Sequence, residues 1–304
     1  MGTPDFAVPA LAALHGGRHA VRLVVTQPDR PSGRGRKQTP PPVKKAAIEM
    51  GYPVAQPEST RSDAFKARLA EAAPDLLVVV AYGQILRADV LNIPRMGAVN
   101  IHASLLPRYR GPGPIQRAII DRAPKTGVAT MMLDEGMDTG DILLMRETPI
   151  APDETAGSLH DRLAELGADL LLETLDGLRS GAVTPRPQDP DAATYAPMLT
   201  KEDGHIDWTA DAEKIEALIR GVTPWPGAFT FHGGQRLRIF RAETADLDAD
   251  APPGTVIPGF PDELRVAAGT DALSILEIQG ASGKRMDIAS FLRGYALPVG
   301  SRLT

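Results

Sequence analysis

Three apolar, β-branched runs, VRLVVTQ (Val21 to Gln27), LLVVVAY (Leu76 to Tyr82) and AVNIH (Ala98 to His102), recur along the first third of the chain. Helical patterns alternate with such runs through its first two-thirds, which is how a parallel sheet with crossover helices is written. The pattern predicts helices around Val43 to Met50 and Ser62 to Ala72, ended by Gly51-Tyr52-Pro53 and by Pro74. GVATMMLDE and DILLMRETPI flank the turn GMDTG, so the chain reverses sharply around Asp138. Leucines at 159, 163, 166, 170, 171, 175 and 178 follow helical spacing and predict one amphipathic helix over Ala156 to Arg179 that closes the domain.

After Gly181 the text changes to AVTPRPQDPDAATYAP, whose four prolines favour an extended, semi-rigid linker. Beyond Lys201 short strand-like runs, QRLRIFRAE, PGTVIPG, ELRVAAG and ALSILEIQ, are parted by Gly, Pro and Asp turns and suggest a small antiparallel barrel. A length of 304 residues accommodates both parts. No apolar run approaches the roughly 18 residues of a membrane-spanning helix and no signal-peptide pattern opens the chain, so the expectation is a cytoplasmic protein. With no cysteine, disulfides, thiolate metal sites and cysteine nucleophiles are excluded, leaving six His and the carboxylates for metals. A net charge of −5 argues against a uniformly basic nucleic-acid binder, although net charge hides distribution.

Residues two apart on a strand face the same way, so Asn100 and His102 project together at a carboxyl end while Val99 and Ile101 enter the core. That end is where doubly wound sheets hold ligands. An Asn amide and a His N–H aimed at one point stabilise an oxygen acquiring negative charge, and His also carries protons at neutral pH. Asp138, on its Gly-flanked turn, is the best carboxylate to orient that ring. Spacing alone favours the plainer reading, a satisfied strand-end histidine and a turn-forming aspartate.

QPDRPSGRGRKQTPPPVKK carries six Lys or Arg between positions 30 and 45 and no acid there. A solvated basic loop is the plain account; a long irregular loop in a compact domain is often functional, and phosphates are its natural targets.

At this point GTPDFAVPAL, TQPDRPSGRGRK, VVAYGQIL, NIHASLLPRYRG, LDEGMDTGDIL, YAPMLTKEDGHIDW and TPWPGAF together resemble the methionyl-tRNA formyltransferase family, over nearly the whole length. The NIHASLLP element with a downstream Asp is common to formyltransferases that use 10-formyltetrahydrofolate; the basic insertion and the second domain are narrower. The resemblance implies an α/β fold, with a Rossmann-like, mostly parallel formyltransferase domain over residues 1–181. A linker over 182–200 and an OB-like antiparallel β-barrel that supports tRNA, over 201–304, would follow. It implies a catalytic triplet of Asn100, His102 and Asp138, with 10-formyltetrahydrofolate as co-substrate, no metal, and initiator methionyl-tRNA as the acceptor. Asn100 and His102 would donate to the oxyanion, Asp138 would orient His102, and either Asp138 or a water it holds would help take a proton from the amine. Tyr82, Gly83, Gln84, Ile85 and Leu86, with Ser104, Leu105, Leu106 and Pro107, resemble folate-pocket segments; their plain reading is packing at strand ends. Arg34, Arg36 and Lys37 fall on the loop that enters the tRNA acceptor arm, and Arg108 and Arg110 on the rim. A monomer without an obligate protein partner is expected.

The second domain supports this only locally, with 11 Lys or Arg against 15 Asp or Glu from Lys201 onward. Arg236, Arg238 and Arg241 are expected on one strand face, and Trp208 and Trp225 as core or interface residues. The family also leads one to expect a short apolar strand before GTPDF, hence a longer natural chain, and a smaller turn where GPGP stands at 111 to 114. Two rivals remain: a formyltransferase for small amines, which needs no basic excursion, and a non-catalytic RNA-binding protein, which needs no aligned Asn and His.

Overall fold

The computed structural model describes residues 1–32, 37–246 and 250–304. Contacts divide the chain into two compact units, one of residues 1–114, 126–149 and 160–196, the other of residues 115–125, 150–159 and 197–304. The strands are β1 (Val24–Val25), β2 (Arg30–Ser32), β3 (Lys37–Thr39), β4 (Val54–Ala55), β5 (Leu77–Val79), β6 (Ala98–His102), β7 (Lys125–Met132) and β8 (Ile142–Pro149). They continue as β9 (Ala228–His232), β10 (Gln235–Ala245), β11 (Val256–Ile257), β12 (Leu264–Ala267), β13 (Ala272–Gln279) and β14 (Met286–Asp287). The helices are α1 (Val8–Gly16), α2 (Pro42–Glu49), α3 (Asp63–Ala72), α4 (Ala88–Leu91), α5 (Pro114–Ile120), α6 (Ala156–Ser180), α7 (Ala212–Gly221) and α8 (Ile288–Leu292).

In the first unit β5-β6-β7-β8 form one sheet and β1-β4 another. β5 and β6 run parallel, with Val79 opposite Asn100; β6 and β7 run antiparallel, with Asn100 opposite Met131 and His102 opposite Ala129. Met1 and Gly2 connect the two sheets by backbone, since Gly2 donates to Val25 at 2.9 Å and Met1 accepts from Val80 at 2.9 Å. Val21, Leu23, Val78, Leu69 and Leu175, with Met1 and Gly2, line a cavity of about 670 Å³ at that junction. β1 therefore spans two residues where the apolar run suggested seven, because a ladder forms only where Val54–Ala55 and Gly2 supply partners.

The expected helices appear as α2 and α3, and Ser62 caps α3 by accepting from the Phe65 N–H at 3.3 Å. α6 follows its leucine spacing, with Leu163, Leu170 and Leu171 fully buried. Gly167 permits its close approach to β6, since a Cβ there would lie 2.9 Å from Ile101 Cγ2. Truncating one of these leucines to Ala would cost about 2–5 kcal/mol.

In the second unit the sheet order is β11-β12-β13-β10-β9, with β14 also on β13, and the pairings are antiparallel. Its core gathers Trp208, Ile215, Ile219, Leu237, Ile239, Leu273 and Ile275. Along β10, Leu237 and Ile239 point inward, leaving Arg236 and Arg238 outside, where Arg236 lies 3.6 Å over the Phe229 ring. Strict alternation would turn Arg241 inward; register shifts on either side of it bring it out as well. Trp208 is core and donates to Thr230 Oγ1 at 2.9 Å, whereas Trp225 is 53% exposed and belongs to no core.

Candidate active site

β6 places the site. Its five residues are all buried, and the two-residue repeat puts Asn100 and His102 on the same side, Asn100 at 8% exposure. The Asn100 carboxamide makes no hydrogen bond among the described residues, so its donors and acceptor are unspent. His102 Nε2 lies 2.8 Å from the Tyr109 carbonyl oxygen, an atom that can only accept, so Nε2 carries the proton. The N–H that spacing pointed at an oxyanion is therefore committed to the backbone. Nδ1, 3.6 Å from Asp138 Oδ2, is the ring's open edge.

Asp138 sits in the loop between β7 and β8, at a φ of 55°. This left-handed conformation costs an L-residue about 1–2 kcal/mol, least for Asp and Asn, and persists where surrounding bonds hold it. Those bonds are present: Met132 N–H donates to Asp141 O at 2.8 Å, and Asp134 Oδ1 accepts from Gly136 N–H at 3.0 Å and Thr139 Oγ1 at 2.8 Å. Gly140 is required by close approach, since a Cβ would stand 1.8 Å from the Met132 carbonyl oxygen. The Asp138 carboxylate accepts from the Gly111 N–H at 2.8 Å, which ties this loop to the one leaving β6. Two partly buried bases, His102 Nδ1 and Asp138 Oδ2, thus face one another beside an unspent amide.

The two expected folate segments follow the carboxyl ends of neighbouring parallel strands, 82–86 after β5 and 104–107 after β6. Their side chains divide by environment. Tyr82, Leu86, Ser104 and Leu106 are buried, and the Ser104 hydroxyl donates to the Arg108 carbonyl at 2.6 Å. Gln84 accepts from the Thr60 N–H at 3.1 Å and donates to the Glu58 carbonyl at 3.2 Å, knitting loops together. Gly83 and Ile85 are exposed, Ile85 to 68%, and Leu105 and Pro107 are half-buried. The Tyr82 hydroxyl has no partner among the described residues, and burial pushes its pKa up to about 12.

In the basic excursion, β2 and β3 pair as a hairpin that sets Lys37 opposite Ser32, with Lys37 exposed. Arg34 and Arg36 lie outside the described residues. Asp29 anchors the hairpin base through Gln56, at 2.7 Å, and Lys44, at 2.8 Å, and these bonds hold its carboxyl below the usual carboxylate range. Among the described residues no group of three or more His, Asp or Glu could hold a metal ion, and no helix is long and apolar enough to cross a membrane.

Residues 182–196, within the segment read from the sequence as a linker over 182–200, make hydrogen bonds to the site loops that no sequence pattern announced. Arg186 bridges to Ile142, Thr194 Oγ1 accepts from the Tyr109 N–H at 2.8 Å, and Ala196 exchanges hydrogen bonds with Arg110 and Gly113. Arg110, expected on the rim, donates to Gln188 Oε1 at 2.9 and 2.7 Å through Nε and Nη2. No spacing rule links these positions; the one visible signal was the concentration of polar Gln, Asp and Thr between prolines.

The Formyl transferase family model matches residues 1–175, and the Formyl transferase, C-terminal domain model matches residues 198–296. The chain is 52% identical over 294 residues to the Methionyl-tRNA formyltransferase of Desulfotalea psychrophila, covering 97% of this chain and 91% of that one. It is 49% identical over 303 residues to the Methionyl-tRNA formyltransferase of Citrifermentans bemidjiense, covering 100% and 95%. Among solved structures, WlaRD, a sugar 3N-formyl transferase, matches with a TM-score of 0.67 at 16% identity, over 93% of this chain and 97% of that one. HypX from Aquifex aeolicus, in complex with tetrahydrofolic acid, matches with a TM-score of 0.59 at 20% identity; 84% of this chain is covered, which spans 47% of HypX. At these identities the two structures speak for the fold alone. With both domain models matched, and with relatives at about half identity over nearly the full length, the chain belongs to the formyl transferase family.

Proposed function

We propose that this protein transfers the formyl group of 10-formyltetrahydrofolate to the α-amino group of methionyl initiator tRNA. The observation that carries the reaction class is the unspent Asn100 amide beside the facing bases His102 Nδ1 and Asp138 Oδ2, 3.6 Å apart. The acceptor rests on the two Methionyl-tRNA formyltransferases that match end to end. The folate fits the residues present: an amide donor without a partner, an exposed Ile85, and half-buried Leu105 and Pro107 beyond adjacent parallel strands.

When bound, 10-formyltetrahydrofolate supplies the formyl carbon that the amine attacks. Asn100 donates its amide N–H to the oxygen that gains negative charge, inside a largely buried site where such a bond is strong. His102, with Nε2–H fixed on Tyr109, accepts the amine proton at Nδ1. Asp138 lies close enough to stabilise the resulting imidazolium and holds its own position through Gly111 N–H. The imidazolium then returns a proton to the departing folate nitrogen. No covalent enzyme intermediate is needed, because the amine is already a competent nucleophile and the chain supplies position and proton handling.

Arg34, Arg36 and Lys37 are assigned to tRNA phosphates, and residues 201–304 to the body of the tRNA, with residues 1–181 carrying the chemistry and 182–200 joining them. We place the enzyme in the cytoplasm, as a monomer. The experiment is kcat/KM for formylation of charged initiator tRNA against that for free methionine and an amino-sugar nucleotide. A large preference for tRNA supports the proposal; equal use of the small amines replaces it with a small-molecule formyltransferase.

A further inference from the structure

The Gln188 side chain bonds two loops and, through Nε2, also lies 4.0 Å from Met131 Sδ on β7. Nε2 donates to the carbonyl oxygens of Asp138 at 2.8 Å and Gly140 at 2.7 Å, while Oε1 accepts both bonds from Arg110. Arg110 lies in the loop that leaves β6 with His102, and Asp138 and Gly140 lie in the loop between β7 and β8. A single amide therefore joins the two loops that bring His102 and Asp138 to 3.6 Å. The joint is itself anchored on both sides, by Arg186 on Ile142 and by Thr194 and Ala196 on residues 107–113. Asp138 needs such support, because its φ of 55° is disfavoured for a residue with a side chain.

We propose that Gln188 is a positioning residue for formyl transfer: it latches the Asp138 loop, through the Asp138 and Gly140 carbonyls, in the conformation that holds the carboxylate against His102. The inference rests on the function proposed above. Its amide donors are the working part. An Nε2–H₂ group satisfies both carbonyls at once, whereas a carboxylate at the same place would turn lone pairs toward them while still accepting from Arg110.

That asymmetry gives the test. Gln188→Glu and Gln188→Ala, made in the full chain, are compared with wild type in kcat, in KM for 10-formyltetrahydrofolate, and in hydrogen exchange of the amides at 134–141. The latch predicts that both variants lose kcat by on the order of tenfold to a hundredfold, with KM nearly unchanged and faster exchange confined to that loop. Wild-type kcat and exchange in Gln188→Glu would overturn it, since the residue would then serve only to hold Arg110. Variants that unfold are recognised by exchange throughout the chain, and Gln188→Asn, which keeps the amide on a shorter stem, then supplies the reading: partial kcat with normal folding supports the latch, wild-type kcat and exchange overturn it. If the wild type formylates nothing, the functional proposal fails on its own, while the exchange of the 134–141 amides still decides whether the latch exists.

Discussion

His102 Nε2 lies 2.8 Å from the carbonyl oxygen of Tyr109, and this contact fixes which ring nitrogen works. Nitrogen NMR of the neutral ring should find the proton on Nε2 and the lone pair on Nδ1. His102→Ala should lower kcat by on the order of 10²- to 10⁴-fold with the folate KM nearly unchanged. A proton on Nδ1, or an unchanged kcat, would remove His102 from proton handling.

Gly140 is the tightest point of the Asp138 loop. Gly140→Ala sets a methyl 1.8 Å from the Met132 carbonyl, so the loop must shift. Denaturant titration should show a loss of about 1–3 kcal/mol, and kcat should fall with it. Full activity would mean that the loop works without its present shape.

Tyr82 gives a pH signature. Its folded pKa of about 12 exceeds the ordinary value of 10.0, so its neutral form is favoured by folding. Stability is complete below pH 10 and declines as pH rises from 10 toward 12, because the unfolded chain releases the proton first. Tyr82→Phe should flatten that decline and, by removing an unpartnered buried hydroxyl, raise stability by about 1 kcal/mol near neutrality. An equal decline in the variant would assign the effect elsewhere.

Lys37 is exposed on β3, next to the excursion assigned to tRNA. Lys37→Ala should weaken tRNA use and make the slope of log affinity against log salt shallower by about one, with small-amine turnover untouched. An unchanged slope would return this hairpin to plain solvated surface.

The helices were legible because Val43 to Met50 and Ser62 to Ala72 carry their own stops and, in Ser62, a cap. Asn100 and His102 were legible because strand periodicity is local. The length of β1 was not, since a ladder depends on what lies beside Val21 to Leu23, and the outward turn of Arg241 was not, since a register shift belongs to the pairing with β13. The hydrogen bonds of residues 182–196 were not legible for a similar reason: prolines at 185, 187, 190 and 197 remove their own donors, yet Arg186, Thr194 and Ala196 between them keep theirs. The partner that commits His102 Nε2, a carbonyl seven residues on, leaves no mark in side-chain identity at all.

In the proposed reaction the unspent Asn100 amide meets charge developing on the transferred formyl group. The most direct test is the single-turnover rate of formyl transfer to methionyl initiator tRNA, with both substrates saturating, for wild type and Asn100→Ala. Loss of one such donor predicts a fall of roughly 10²- to 10³-fold with binding of both substrates retained. A variant that transfers the formyl group at the wild-type rate would show that the Asn100 amide does not stabilise the transition state.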